Sequence, residues 1–318
     1  MILNINEFKN LIVSAQKIYI MGHSNLDLDA IGSAIGLYAA LTKMHKEVYI
    51  IIEDKVNELA VEKVLTIVKG KITIIRGNGV SISPNNLLIV VDTNKTNLVQ
   101  LPELLDKFTN KIVIDHHGVT EESIKASYSW INKDASSTCE MVTELVSNLG
   151  MVLSKEVNTI LLSGIVLDTN NFVVKTDEKT YYSAYTLAKA GASPRDVQYL
   201  LKQDLNEYIE RQKVITNVQV FKQIAITKGT ENLRYRREDL AKIADTLLQF
   251  KGIEASFVIG KMTSDTVGIS ARSMGDFPVA TIMEKLGGGG DSHDAAAKLE
   301  NITIAEVENL LLDLLKEK

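Results

Sequence analysis

Carboxylate and imidazole side chains gather in four short segments of this 318-residue sequence, each at a point where an apolar run stops. The segments are His23–Asp29, Asp92–Asn94, Asp115–His117 and Asp168–Thr169. Carboxylates beside an apolar core are unfavourable unless a cation neutralises them. Together the segments supply enough carboxylates and imidazoles to hold two divalent cations. The pattern therefore predicts a metal-dependent hydrolase with a two-metal centre.

In the first segment, His23 is followed by two aspartates, Asp27 and Asp29, that are separated by one residue. We expect these residues to leave a strand through a loop and to enter a helix that carries 30–41. Two aspartates with this spacing can point to two different cations. Alternatively, one of them simply caps the helix, although both cannot do so.

Asp92 and Asp168 each follow a strongly apolar run, where an aspartate alone would more often begin a turn or stop a helix. The other segments favour a metal role instead, because two cations about 3.5–4 Å apart need a carboxylate that bridges them. Two divalent cations would cancel the four negative charges of Asp27, Asp29, Asp92 and Asp168.

The Asp115-His116-His117 triplet follows a predicted buried strand. One imidazole can bind metal while the other faces the substrate, and Asp115 can orient an imidazole from behind. Four of the five histidines lie in motifs: His23, His116, His117 and His293. His45 is the exception.

The predicted ligands combine nitrogen and carboxylate donors, which favours two Mn²⁺ ions over Mg²⁺, although Mg²⁺ or another divalent metal would also be accommodated. The single cysteine, Cys139, excludes an internal disulfide and a thiolate-only zinc site, and we expect it to be buried on a helix.

The formal net charge of −5, without a long basic stretch, argues against binding of long nucleic acids. No apolar stretch approaches the roughly 20 residues needed to cross a bilayer, and no signal segment opens the sequence. These features predict a cytoplasmic protein that does not enter a membrane.

Short apolar runs alternate with amphipathic stretches through the first ~190 residues, which predicts an open, doubly wound, mostly parallel α/β sheet. The predicted strands are Ile18–Met21, Val48–Ile52, Ile72–Ile75, Leu87–Val91 and Ile112–Ile114. We expect a catalytic domain over 1–192, a helical connector over 193–219 and a smaller α/β substrate-binding domain over 220–318. Its predicted elements are strands near 221–227, 256–262 and 266–271, and a terminal helix from Ile304.

Four glycines stand before Asp291–Ala297, a segment that resembles a capped helix start. A glycine turn that enters a helix N-terminus would present N–H groups to an anion, whereas the alternative is a flexible hinge. Arg272 is either a surface charge or a phosphate clamp. Ser137 lies in a segment that resembles a capping box more than a substrate contact. The glycines are Gly287, Gly288, Gly289 and Gly290.

The motifs together resemble the DHH phosphoesterase family, named for the triplet at Asp115–His117, with its DHH-associated second domain. Within that family the sequence is most similar to the catalytic core of bacterial cyclic di-AMP phosphodiesterases. The segments that carry this likeness are Met21–Gly32, Ala135–Thr138, Gly268–Ser273 and Ile282–Leu286. Membrane-bound members carry further regions ahead of this core, so the resemblance implies a stand-alone core or a fragment.

The resemblance implies a role for each motif residue. One ion would be held by His23, Asp27 and Asp92; the other by Asp29, Asp92, His116 and Asp168. His117 would face the scissile phosphate, with Asp115 behind it. The implied substrate contacts are Arg272, Ser273, the four glycines, His293 and Ser137. Relatives commonly place histidine directly after the glycines, where this sequence has Asp291.

The activity that the resemblance implies is Mn²⁺-dependent hydrolysis of cyclic di-AMP to linear 5′-pApA, followed by AMP if a second hydrolysis occurs. The alternatives are a nanoRNase or 3′-phosphoadenosine-5′-phosphate phosphatase acting on short linear substrates and, from another class, a catalytically silent nucleotide sensor. A pyrophosphatase is disfavoured, since so small a substrate does not need a nucleotide-sized glycine loop. The resemblance also implies a homodimer.

Overall fold

The computed structural model describes residues 4–53, 56, 58–290 and 292–316. Contacts divide the chain into two compact units, 1–202 and 203–318. The elements of the first unit are α1 (Ile5–Ser14), β1 (Lys17–Met21), α2 (Leu28–Lys43), β2 (Glu47–Ile51), α3 (Leu59–Val68), β3 (Ile74–Ile75), β4 (Leu87–Val91), β5 (Asn110–Asp115), β6 (Tyr128–Ile131), α4 (Thr138–Asn148), α5 (Lys155–Asp168), α6 (Glu178–Lys189) and α7 (Pro194–Leu200).

The six strands of the first unit form one sheet in the order β3-β2-β1-β4-β5-β6, and every neighbouring pair is parallel. The strand order reverses direction between β1 and β4, which is where open α/β sheets bind ligands, beyond the carboxyl ends of their strands. The predicted α/β fold with a mostly parallel sheet is confirmed. The strand predicted over 72–75 is shorter than expected, because only its last two residues pair with β2.

The central strand β4 is buried on both faces. Leu87, Ile89 and Val91 belong to a core that includes residues of helices α1 to α5. Leu88 and Val90 belong to a second core on the other face, which is covered by shorter segments, among them the 3₁₀ turn over 102–104. Burial on both faces explains why this strand is apolar without alternation.

The second unit contains a mixed six-stranded sheet in the order β11-β12-β10-β9-β8-β7. Only β8 and β9 pair in parallel. Residues of α10 and α11 join one hydrophobic core, and residues of α9 join the other. The elements are α8 (Leu205–Ile215), β7 (Gln219–Phe221), β8 (Ile224–Lys228), α9 (Arg237–Leu247), β9 (Ala255–Lys261), β10 (Thr266–Ser273), α10 (Val279–Lys285), β11 (Gly289–Gly290), β12 (Asp294–Glu300) and α11 (Ile304–Lys316).

The helix predicted after the glycine run is wrong, because Asp294–Glu300 is strand β12. Ala295 and Ala297 alternate into the core, and the strand pairs with β10 along its whole length. Tertiary pairing therefore overrides the helix propensity of the alanines. Asp291, the first residue of the predicted helix, lies outside the described residues.

The stretch expected to be a connector, 193–219, is helical but is split between the two units. Ser193 caps α7, with Pro194 as its first residue, as the sequence predicts. Helix α7 belongs to the first unit and α8 to the second. Across the described residues, no helix has both the length and the apolar character that membrane crossing requires.

Candidate metal centre

Three neighbouring strands bring the first predicted ligands to one edge of the parallel sheet. His23 follows β1, Asp92 follows β4 directly, and His116 follows β5 directly. Because parallel strands end at the same edge, residues that are far apart in sequence meet here. His23 Nε2 lies 3.4 Å from Asp92 Oδ2, and His116 Nε2 lies 3.5 Å from Asp92 Oδ1.

Helix α2 adds Asp27 and Asp29 to this edge. Asp27 is the N-cap of α2, and its Oδ1 accepts hydrogen bonds from the N–H groups of Asp29 (2.9 Å) and Ala30 (3.0 Å). The capping alternative is therefore correct for Asp27. The same carboxylate lies 3.7 Å from His23 Nε2, so capping and a ligand position coincide in one residue.

Helix α5 ends at the last of the predicted ligands, Asp168. Its Oδ2 lies 3.2 Å from His116 Nε2, and Asp29 Oδ2 lies 3.9 Å from the same nitrogen. The structure thus brings all six predicted metal ligands together in overlapping groups whose ligand atoms lie within 4.8 Å of one another. The groups are His23, Asp27 and Asp92; Asp29, His116 and Asp168; and Asp92, His116 and His117.

Asp92 belongs to two of these groups and has an unusual backbone. Its φ of 60° lies in the left-handed region, which non-glycine residues rarely adopt. The residue is nearly fully buried, and its N–H donates to the Ile114 carbonyl at 3.0 Å. Strain of this kind persists where the surroundings fix the residue, and it is often found at functional sites.

Asp115 orients His117 rather than His116. This fully buried carboxylate accepts hydrogen bonds from the His117 N–H at 3.1 Å and from His117 Nδ1 at 2.8 Å. Asn94 Nδ2 donates to the other carboxylate oxygen at 2.6 Å. The His117 side chain is 54% exposed, whereas that of His116 is 4% exposed. One imidazole of the pair is therefore buried among carboxylates, and the other is fixed at the surface.

The carboxylates at this edge strongly perturb one another. Burial raises the pKa of Asp29, and the charges of Asp92 and Asp168 raise it further. Burial likewise raises the pKa of Asp168, to about 6, although the neighbouring His116 opposes the shift. Burial lowers the pKa of His23, but hydrogen bonds and charge from Asp27 and Asp92 outweigh burial and raise it to about 11. The site therefore favours added positive charge.

His116 provides a direct test of whether a metal ion fits. Both of its ring nitrogens are buried and have no hydrogen-bond partner among the described residues. Buried imidazole nitrogens are normally satisfied, and an orphaned one points to an ion or water. With three carboxylates within 4 Å of Nε2, the donor set fits a divalent cation.

Comparisons with known proteins identify two domains in this chain. The model of the DHH family, N-terminal domain, matches residues 17–165, and that of the DHHA1 domain matches 218–318. The chain belongs to the DHH family.

Two curated relatives of this chain are named for different activities. This chain is 36% identical over 315 residues to the cyclic-di-AMP phosphodiesterase PdeA of Listeria monocytogenes, a match that covers 96% of this chain and 48% of PdeA. The chain thus spans about half the length of the cyclic-di-AMP phosphodiesterases that it matches. It is 27% identical to the bifunctional oligoribonuclease and PAP phosphatase NrnA of Mycoplasma genitalium, with 94% of this chain and 93% of NrnA covered.

A solved structure shares the fold. The exopolyphosphatase-related protein from Bacteroides fragilis superposes with a TM-score of 0.83 at 23% identity, and the match covers 98% of this chain and 95% of that chain. At this identity the likeness shows the fold alone.

Helix α4 of the DHH domain contacts the candidate ligands in a way that sequence reasoning missed. The backbone N–H groups of Thr138 and Cys139 each donate to Asp29 at 2.7 Å, and the Thr138 hydroxyl donates to Asp92 at 2.9 Å. Ser137 is the fully buried N-cap of α4 and accepts from the Glu140 N–H. The cap pattern at 136–140 was the available signal, but it did not reveal what the first turn of the helix contacts.

In the DHHA1 domain, Arg272 has carboxylate partners on two sides. Its Nε lies 3.0 Å from Asp245 Oδ1, and its Nη1 lies 2.5 Å from Asp294 Oδ1. Ser273 is buried; its hydroxyl donates to the Ser292 carbonyl and its N–H donates to the carbonyl of His293, an exposed residue. The predicted substrate contacts in this domain are thus engaged mainly with one another and with neighbouring residues.

The glycine run serves the sheet of the DHHA1 domain. Gly289 and Gly290 form β11 and pair with β12. A Cβ atom at Gly288 would lie 2.1 Å from the Ala296 carbonyl oxygen, so only glycine permits this approach. Gly287, Gly288 and Gly289 also line a cavity of about 340 Å³, together with Arg237 and Lys298.

Proposed function

We propose that this chain is a metal-dependent phosphodiesterase of the DHH family. The observation that carries the proposal is the convergence of three aspartates within 4 Å of the buried Nε2 of His116, an atom without a hydrogen bond among the described residues. A second group, formed by His23, Asp27 and Asp92, lies next to it. Buried carboxylates at this density are unfavourable without a cation, and two-metal hydrolases depend on such a set of ligands.

In this proposal Asp92 would be a ligand of both divalent ions. Its Oδ2 faces His23 and its Oδ1 faces His116, so each oxygen lies beside a different group of ligands. Mixed imidazole and carboxylate donors suit Mn²⁺. When bound, two such ions lower the pKa of a water nucleophile and stabilise the charge on the phosphoryl oxygens.

The half-exposed imidazole of His117 is proposed to contact the scissile phosphate. Asp115 holds its Nδ1 at 2.8 Å, which fixes the ring and leaves Nε2 for the substrate. A ring oriented from behind loses little freedom when a phosphoryl oxygen binds, so orientation is the contribution of Asp115. We further propose that the unit over 1–202 is catalytic and that the unit over 203–318 binds substrate.

The proposed substrate is cyclic di-AMP, opened to linear 5′-pApA, because the PdeA relative carries that activity in its name and matches nearly the whole chain. A second candidate is hydrolysis of short linear substrates, since NrnA is matched over 93% of its own length. Chromatography of cyclic di-AMP, linear di-AMP and 3′-phosphoadenosine-5′-phosphate, incubated separately with protein and Mn²⁺, distinguishes the two. Loss of the linear compounds alone would establish the second candidate.

The catalytic proposal is tested by the variant Asp92→Ala. It removes the shared carboxylate, and we expect turnover to fall at least about a hundredfold, because both ions lose a ligand. The matched control is Asp106→Ala, which removes an exposed aspartate in the same unit and should leave turnover unchanged. An Asp92→Ala protein that keeps a tenth of the wild-type rate contradicts the proposal.

The cytoplasmic location and the homodimer are also part of the proposal. Sedimentation velocity of the purified protein, with and without Mn²⁺, tests the second. A single species of 35.1 kDa at micromolar concentration would argue against a dimer.

A further inference from the structure

The first turn of α4 contacts one carboxylate from each of two candidate metal groups. Thr138 Oγ1 donates to Asp92 Oδ1 at 2.9 Å. The N–H groups of Thr138 and Cys139 donate to the two oxygens of Asp29, both at 2.7 Å. All four residues are buried, and hydrogen bonds are stronger in such a low-dielectric environment than in water.

Close helix packing places this turn against Asp29. The Cys139 side chain lies between α2 and α5, where a Cβ atom at Gly32 would meet its Sγ at 2.8 Å and one at Gly164 would meet it at 2.4 Å. Glycine at both positions lets the three helices approach. The start of α4 therefore reaches the ligand edge without a bulky side chain in between.

The Thr138 hydroxyl is the one side-chain group of this turn that reaches Asp92. Ser137 Oγ instead caps the helix, and Ser136 Oγ donates to Glu140 at 2.5 Å. Asp92 stands in the left-handed region with φ of 60°, a backbone conformation that persists only where the surroundings hold it. The hydroxyl holds Oδ1 in place, on the side that faces His116.

We propose that Thr138 is a positioning residue for the metal centre, which orients the shared carboxylate of Asp92 by donating a hydrogen bond to Oδ1. The inference rests on the proposed two-metal function. Groups that orient metal ligands typically change metal affinity about 10- to 100-fold when they are removed. Because Oδ1 faces His116 and Oδ2 faces His23, the loss should be uneven between the two ions.

The experiment measures Mn²⁺ binding to the full chain by calorimetry, with free Mn²⁺ checked by electron paramagnetic resonance. Thr138→Val replaces the hydroxyl with a methyl group of similar size. We expect one of two binding steps to weaken at least about tenfold and the other to change less than about threefold. Thr138→Ser keeps the donor and should bind both ions with nearly wild-type affinity.

Two comparisons keep the result interpretable. Thr143→Val removes a hydroxyl from the same helix, where it donates to the Cys139 carbonyl at 2.7 Å, away from the ligands, and should leave Mn²⁺ affinity unchanged. Thr138→Ala and Thr138→Ser differ by one oxygen atom, so this pair decides the matter even if the valine variant does not fold.

The outcomes separate this inference from the proposed function. If wild-type protein binds no Mn²⁺, the two-metal function itself is wrong. If wild-type protein binds two ions and Thr138→Ala binds them as tightly as Thr138→Ser does, the positioning role of Thr138 is wrong. Equal loss in the serine and alanine variants would assign the effect to the missing methyl group and would also overturn it.

Discussion

The two units differ in how their buried or half-buried ionisable side chains are hydrogen-bonded. In the first unit, the buried imidazole of His116 has carboxylates around it but no hydrogen-bond partner among the described residues. In the second, the charge of Arg272 is matched by Asp245 and Asp294, and its Nη1 also donates to the Ser270 hydroxyl. A buried ring nitrogen without a hydrogen bond points to a ligand, whereas the hydrogen-bonded ion pairs of Arg272 are stable without one.

The largest effect should come from removing His116, the buried imidazole that has no hydrogen-bond partner among the described residues. We expect His116→Ala to lower turnover at least about a hundredfold and to reduce bound Mn²⁺ from two ions to one, because the ring is a proposed ligand. Arg272→Ala should instead keep turnover within about tenfold at saturating substrate, and destabilise the protein by about 1 kcal/mol, because it removes the ion pairs to two partly exposed carboxylates. Steady-state kinetics and thermal unfolding of both variants measure this contrast. It fails if Arg272→Ala abolishes turnover while stability is unchanged.

A second comparison lies within the glycine run. A Cβ atom at Gly288 would clash with the backbone of Ala296, whereas one at Gly289 meets nothing within 4 Å. We expect Gly288→Ala to lower the free energy of unfolding by about 1–3 kcal/mol, since the backbone must shift. Gly289→Ala should have less than about 1 kcal/mol of effect.

Denaturant unfolding measures the glycine pair. If both variants unfold like the wild type and both weaken substrate binding, the glycines serve a ligand and not the sheet. That result would assign to the glycines the substrate contact that the sequence first suggested for them.

A third expectation concerns the pH dependence of the metal-free protein. The pKa of His23 is raised from 6.5 to about 11, so the folded state keeps a proton that the unfolded state loses above pH 6.5. The stabilising contribution of the His23 proton is fully present below pH 6.5 and is lost as pH rises toward 11, by up to about 1.4 kcal/mol per pH unit. The pKa of Asp168 is raised from 3.8 to about 6, so this residue adds a decline in stability as pH rises from 3.8 to 6.

Thermal unfolding between pH 6.5 and 9, in the presence of a chelator, tests this expectation. His23→Gln should have a shallower decline, because one titrating group is gone. Added Mn²⁺ should stabilise the wild type more at pH 9 than at pH 6.5, since ions replace protons on the same ligands. Metal-free stability that rises across this range contradicts the electrostatic account.

The sequence predicted the parallel sheet well because its strands are buried on both faces. Leu87–Val91 is apolar throughout and forms a strand with the predicted bounds. The meeting of Asp92 and His116 also follows from sequence, since both residues end neighbouring parallel strands. Local pattern and one topological rule are sufficient for these features.

Long-range pairing limited the prediction elsewhere. The alanines at 295–297 favour a helix locally, but β10 and the glycines pair with them as a strand. Thr138 contacts Asp29 across 109 residues of sequence and Asp92 across 46. A cap pattern identifies the start of a helix, but it carries no information about which distant carboxylates that start will meet.

The central claim is that this edge of the first unit holds two metal ions. Crystals grown with Mn²⁺ and measured at the manganese absorption edge test it most directly. The account predicts two anomalous peaks that share Asp92, one beside His23 and Asp27 and the other beside Asp29, His116 and Asp168. Well-ordered crystals without a peak among these residues would contradict it.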